Sequence, residues 1–234
     1  MLTVEHATFL SSIFTTFLAN VFSVTVVGWA RAALASYFGD DTAEQLGFKT
    51  LNPLAHIDIF FIFSFMLFGI GLGQYPFIEW SKVKGPLVDL KFYSAYFLNS
   101  FLYILISIIS LASLLIFFGP SILELFKTVT LVDLDVLRFY PNISSFALTL
   151  ALIGVAMVYI NGLLAVFSLF VNLLHLVGIP VLKHFFKETK YQEIWVLVGA
   201  IALIYLLLGP LHVVTQWIIY GAGYTIAHII GIAS

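Results

Sequence analysis

Residues 59–78 read IFFIFSFMLFGIGLGQYPFI, and this stretch decides how the chain is placed in a membrane. It contains no Asp, Glu, Lys or Arg, and its apolar part before the first glycine runs only from Ile59 to Phe68. A helix of that length reaches about 15 Å, against a hydrocarbon core of about 30 Å. The stretch therefore either spans with the help of its glycine-rich end or enters the membrane and returns.

The Lys and Arg residues of the loops favour the second alternative. If residues 59–78 span, these charges split six against three between the two sides; if the segment returns, they split seven against two, with Lys127 and Arg138 alone on the other side. The positive-inside rule prefers the larger asymmetry. Non-helical backbone is tolerated at membrane depth where protein shields it from lipid. We therefore predict a re-entrant segment at 59–78, with the loops 39–91 and 183–193 cytoplasmic.

The composition requires a membrane as the solvent of this chain. Of 234 residues, 62% are hydrophobic and only 9% are charged, and the mean hydropathy is +1.09. A soluble domain carries about 25% charged residues. We predict one all-α polytopic membrane domain over residues 1–234, with four full transmembrane helices, the re-entrant segment and, as an option, a C-terminal interfacial helix. The spans are expected near residues 8–37, 93–119, 145–180 and 195–219.

Charge and residue usage exclude several functions. The formal net charge is −2 and no basic run is present, which argues against a nucleic-acid partner. The chain has no cysteine, so disulfides, Cys–zinc sites and thiol catalysis are excluded. The first apolar stretch is too long for a signal peptide, so the first span is expected to stay in the protein. The expected partners are membrane lipids and other membrane proteins.

A polar cluster lies between the first span and the re-entrant segment. It starts with Gly39-Asp40 and continues with Leu51-Asn52-Pro53-Leu54-Ala55-His56-Ile57-Asp58. In order and spacing, from about residue 8 to 219, the chain resembles a bacterial branch of the site-2 proteases, which are intramembrane zinc metalloproteases. Weaker matches are Tyr75-Pro76, Asn99 and the run that starts at Ile160-Asn161-Gly162. The resemblance implies a three-helix core and a bacterial inner membrane. It also implies structural roles for Gly39, Asp40, Asn52, Pro53, His56, Asp58, Asn99 and Asn161.

The zinc-binding positions of that family are substituted in this chain. In active members an HExxH motif supplies two imidazole ligands and the carboxylate that activates water. Counting back from Gly39-Asp40 places Val27 and Arg31 at the two histidine positions and Gly28 at that of the general base. A guanidinium is a permanent cation and repels Zn²⁺. The family's third ligand is an aspartate, but no Asp or Glu occurs between Asp135 and Glu188. We therefore predict that the chain binds no zinc and has no catalytic residue.

Three side chains are candidates for a replacement metal site: His56, Asp58 and His175. For the first two we favour hydrogen-bonded anchors of the re-entrant segment, and for His175 a histidine near the end of its span. Arg31 either extends to the membrane interface or pairs with Asp40 or Asp58. The helix asparagines are expected to pack helices together rather than to contact a substrate.

Three functions follow from these expectations. The first is a catalytically inactive site-2 protease-like protein, a pseudoprotease, that binds or scaffolds other membrane proteins. The second is an active intramembrane metalloprotease with a non-standard site. The third is a small transporter or channel subunit, although transport pathways usually carry paired ionisable residues at the membrane midplane.

Overall fold

The computed structural model describes residues 4–74, 78–120, 122–123, 144–173, 176 and 217–231. This part of the chain is built from helices and their connections, and no strand occurs in it. The helices are α1 (Val4–Tyr37), α2 (Thr42–Gln45), α3 (Ile59–Phe68), α4 (Val88–Phe118), α5 (Ser145–Leu173) and α6 (217–229). Short 3-10 turns occupy Pro53–Ala55 and Trp80–Lys82.

Three of these helices are long and apolar enough to cross a membrane. The qualifying stretches are Leu10–Tyr37 in α1, Val88–Phe118 in α4 and Thr149–Leu173 in α5. They lie at three of the four positions that the charge-free stretches predict. The fourth predicted span, 195–219, lies outside the described residues except for its last three, which begin α6.

The predicted re-entrant segment contains a short helix followed by a chain reversal. Helix α3, Ile59–Phe68, coincides with the apolar part of this stretch before its first glycine, and Gly69 ends it in the left-handed conformation (φ 70°). The chain then continues without helical structure through residues 69–74, here called the returning segment. Its end meets the start of α3, because Gln74 N–H donates to the carbonyl of His56 at 3.0 Å. The chain therefore reverses direction after α3, and residue 74 returns to the end of α3 at which the helix begins.

The core is formed where α1, α4 and α5 pack together. Helices α4 and α5 lie side by side in opposite directions, since Ser100 Oγ donates to Ser168 Oγ and Ser107 Oγ donates to the Val158 carbonyl. Gly154 permits the close approach, because a side chain there would overlap Leu114. Small residues at such crossings are typical of membrane helix packing.

Helix α6 packs against the end of α4 and the beginning of α5. Its buried residues Ile219 and Ala227 join a cluster that includes Leu114, Leu123 and Val155. Trp217 at its start is 76% exposed. A helix in the C-terminal region is thus confirmed, and its position relative to a membrane stays a prediction.

Candidate functional site

The buried face of α1 leads directly to the positions where the resemblance would place metal ligands. Thr16, Asn20, Ser23, Val27 and Arg31 are all buried, and their spacing of three or four residues puts them on one helical stripe. This stripe is turned towards α3, α4 and α5. Its last turn, residues 27–31, is here called the 27–31 turn.

Val27 fills its position with apolar contacts. It is fully buried in a cluster with Phe61 of α3, Tyr103 of α4, and Ile160 and Leu164 of α5. An isopropyl group offers no lone pair to a metal ion. At this position the chain contributes to the packing of four helices.

Gly28 lies against the ring of His56. A Cβ at residue 28 would overlap His56 Nδ1 and lie 2.9 Å from Cε1. The ring is fully buried and fixed, because Nε2 lies 2.9 Å from the carbonyl of Thr50. A carbonyl oxygen only accepts, so Nε2 is the donor of this contact, and Nδ1 is the ring nitrogen that faces Gly28. The imidazole thus takes up the volume beside α1 that any side chain at residue 28 would need.

Arg31 is buried at 6% exposure, and its guanidinium lies over the ring of Tyr96 at 5.0 Å from the centroid. This cation–π arrangement stabilises a charge that lipid would not solvate. Neither carboxylate that the sequence offers pairs with it, since Asp40 and Asp58 are engaged with backbone N–H groups. Of the two alternatives for Arg31, the ion pair with Asp40 or Asp58 does not occur among the described residues. Simple extension to the interface does not describe a guanidinium that is this buried.

His56 and Asp58 anchor the segment around α3, as predicted. Asp58 is the N-cap of α3 and accepts from Phe61 N–H at 2.7 Å. Upstream, Asn52 caps the 3-10 turn that starts at Pro53 by accepting from Leu54 N–H at 3.1 Å. Each of these caps satisfies a backbone donor that a helix start leaves without a partner.

Two amides on buried helix faces tie α1 to its neighbours. The Asn20 side chain binds both backbone groups of Gly71, accepting from its N–H at 2.8 Å and donating to its carbonyl at 3.0 Å. One turn later, Asn161 Nδ2 of α5 donates to Ser23 Oγ at 2.8 Å. Asn161 therefore bonds across the contact between α1 and α5. Neither Asn20 nor Ser23 was singled out from the sequence, although their shared stripe with Val27 is visible there.

Asp40 joins the end of α1 to the loop before α4. Its carboxylate accepts from Thr42 N–H at 3.1 Å, from Thr42 Oγ1, and from Glu79 N–H at 2.6 Å. The preceding Gly39 has φ 101°, a conformation that favours glycine. Burial raises the pKa of Asp40, but the hydrogen bonds from Thr42 and Glu79, together with the charge of Lys82, outweigh burial and hold its pKa below 3.8.

Replacing Asp40 with Asn is expected to cost about 2 kcal/mol of unfolding free energy at neutral pH, because hydrogen bonds to a charged acceptor are lost. A lowered folded-state pKa stabilises the protein above the unfolded-state pKa, and this stability disappears as pH falls through the folded-state value. The difference in unfolding free energy between wild type and Asp40→Asn should therefore be constant from pH 7 to 5 and shrink below about pH 3.8. Equilibrium unfolding of both proteins in mixed micelles across this pH range measures the difference. A gap that does not change with pH would contradict the assignment.

The described residues do not fit a zinc ion at the 27–31 turn. No group of three or more His, Cys, Asp or Glu side chains that could hold a metal occurs in the part of the chain that the structure covers. Polar atoms are nevertheless present nearby: Asn99 Oδ1 and Tyr103 Oη of α4 are buried and have no hydrogen-bond partner among the described residues. Two further residues of the resemblance, Tyr75-Pro76, and the candidate ligand His175 lie outside these residues.

No protein-family model, no curated protein and no solved structure matches this chain.

Proposed function

We propose that this chain is a non-catalytic integral membrane protein with a site-2 protease-like core, and that it binds or scaffolds other membrane proteins. The contact between Gly28 and His56 is the observation that carries the proposal. The residue that would activate water has no side chain, and an imidazole takes up the space that such a side chain would need. A buried valine and a buried arginine at the two flanking ligand positions support the same conclusion.

The proposed placement has residues 59–78 re-entrant and the loops 39–91 and 183–193 cytoplasmic, in a bacterial inner membrane. The reversal at Gly69 supports a re-entrant segment, because His56 and Gln74 lie side by side at its two ends. Side chains of the protein form hydrogen bonds with backbone groups of the returning segment, which non-helical backbone at membrane depth requires. The Asn20 amide bonds both the N–H and the carbonyl of Gly71, and Ser64 Oγ accepts from Leu72 N–H at 2.8 Å.

Binding of other membrane proteins is tested by photo-cross-linking in native membranes. A photoreactive residue at Phe63 places the probe on α3, where the side chain is 60% exposed, and a matched probe at Ile109 on α4 is 56% exposed. We expect a defined protein adduct from the α3 position and mainly lipid adducts from the α4 position. Protein adducts that are absent at both positions, or equal and diffuse at both, would contradict a specific binding role.

The zinc content of the purified protein separates this proposal from an active metalloprotease. We expect far less than one tightly held zinc ion per chain, because neither valine nor arginine can supply a ligand. A stoichiometric zinc ion that survives size-exclusion chromatography would favour the enzyme. The cross-linking result and the zinc content are independent, so each part of the proposal can fail alone.

A further inference from the structure

Two lysines at the beginning of α4 remain without a carboxylate partner in the described part of the chain. Lys49 and Lys82 each hold a glutamate carboxylate at 2.8 Å. Lys84 and Lys91 make no such pair with any described residue. They therefore contribute two ammonium groups that no carboxylate holds within 4 Å, and with the exposed Asp89 of the same turn this surface keeps a net positive charge.

Both lysines are held in place by the protein. Lys91 Nζ donates to the Lys84 carbonyl at 2.8 Å and lies 5.7 Å from the centroid of the Phe38 ring. Lys84 is fixed through its backbone, because its N–H donates to the Phe38 carbonyl at 2.9 Å, and its aliphatic stem lies beside Gly39. An ammonium group has three donors, so Lys91 keeps two for another acceptor.

Two leucines beside these lysines are exposed. Leu87 is 69% exposed and Leu90 is 63% exposed. Leu87 also has a left-handed backbone (φ 59°), which is costly for a residue with a Cβ. Both lie where the apolar stretch Val88–Phe118 starts. Apolar side chains next to ammonium groups at the end of a membrane helix match the boundary between acyl chains and headgroups.

We propose that Lys84 and Lys91, flanked by Leu87 and Leu90, form a binding site for the headgroup phosphate of an anionic phospholipid. The inference rests on the membrane placement proposed above. The two ammonium groups bind the phosphate, and the leucines contact the acyl chains. The zwitterionic headgroup of phosphatidylcholine carries its own cation next to the phosphate, so the two lysines favour a lipid with net negative charge.

Native mass spectrometry of the detergent-solubilised protein tests the site with phosphatidylglycerol and phosphatidylcholine at equal concentration. Each lysine near a headgroup favours an anionic lipid roughly fivefold. Wild type should therefore retain phosphatidylglycerol in preference to phosphatidylcholine. The variant with Lys84→Gln and Lys91→Gln should lose this preference, and the variant with Lys84→Arg and Lys91→Arg should keep it.

The matched control is Lys49→Gln with Lys82→Gln, which removes the same charge from the paired lysines and should keep the preference. Equal retention of the two lipids by wild type, or an unchanged preference in the Lys84/Lys91 glutamine variant, would overturn the site. Competition by inorganic phosphate would also overturn it, by identifying a soluble ligand. Alkaline carbonate extraction reports separately on membrane placement: a protein that resists extraction but has no lipid preference refutes only the lipid site.

Discussion

Replacing Gly28 with Ala is expected to destabilise the protein by about 1–3 kcal/mol, although the same change inside a helix ordinarily stabilises by roughly 0.5–1 kcal/mol. The reversal of sign follows from the buried ring of His56, which a methyl group at residue 28 would overlap. The ring cannot move aside freely, because Nε2 is bound to Thr50 and the Phe48 ring lies 5.9 Å away. The free energy of unfolding in mixed detergent micelles, followed by circular dichroism, measures the effect.

The chain offers a matched control in Gly221 of α6. A Cβ at this position would meet no other atom within 4 Å, so the change to Ala there should be neutral or stabilising by about 0.5–1 kcal/mol. If both glycines respond alike, the overlap with His56 is not the cause. The contrast between the two sites is more informative than either value, because both substitutions carry the same helix propensity.

A double-mutant cycle assigns the effect to the ring. His56→Ala is destabilising by itself, since it removes a buried side chain and its hydrogen bond. On that background, however, Gly28→Ala should no longer cost stability, because the overlapping ring is absent. An interaction energy near zero between residues 28 and 56 would refute the contact.

The same contact limits which side chains residue 28 can carry. A Glu at this position would overlap the imidazole of His56 already at its Cβ. The His56 ring occupies this volume, and it has a structural hydrogen bond of its own to the Thr50 carbonyl.

Local features of the fold were predictable because they depend on neighbours in sequence. The apolar run before the first glycine, Ile59–Phe68, is visible in the sequence, and in the structure Asp58 caps its start and Gly69 ends it with a positive φ. The positions of α1, α4 and α5 followed from charge-free length. The capping role of Asn52 follows from the same short-range rule.

Contacts between distant segments could not be predicted in this way. The spacing of Asn20, Ser23 and Val27 shows that they share a face, but it does not show which segment that face meets. The surroundings of Arg31 illustrate the limit: the sequence leaves open an ion pair with a carboxylate or extension to the interface, whereas the structure places the guanidinium over Tyr96. Charge alone says nothing about the rotation of α4, and this rotation decides which side chain comes near.

Replacing Asn20 with Leu is expected to cost about 2–5 kcal/mol, the other large effect that the structure predicts. The side-chain amide satisfies both the N–H and the carbonyl of Gly71, and Asn20 is fully buried. A leucine of similar volume leaves both backbone groups without a partner, and each buried unsatisfied group costs about 1–3 kcal/mol. Thr25→Val is the control, because Thr25 Oγ1 donates only to the Val21 carbonyl of its own helix. The control should change stability by less than about 1 kcal/mol.

Hydrogen exchange locates the effect of Asn20→Leu. The amides of Gly71 and Leu72 should exchange faster in the variant, while amides in the middle of α5 keep their wild-type rates relative to global unfolding. Equal acceleration throughout the bundle would mean that Asn20 acts on overall packing and not on the returning segment. An unchanged rate at Gly71 would mean that the pairing does not form in solution.

The outcome also tests how the backbone groups of a non-helical segment are satisfied beside packed helices. In a sheet, a neighbouring strand would satisfy the groups of Gly71; here no strand lies beside it in the described residues, and one side chain of α1 takes that role. Residue 71 itself must be glycine, since a Cβ there would overlap the Phe61 ring. The Asn20 amide is thus one of the contacts that hold the returning segment against α1 and α3, together with those of Ser64 and His56.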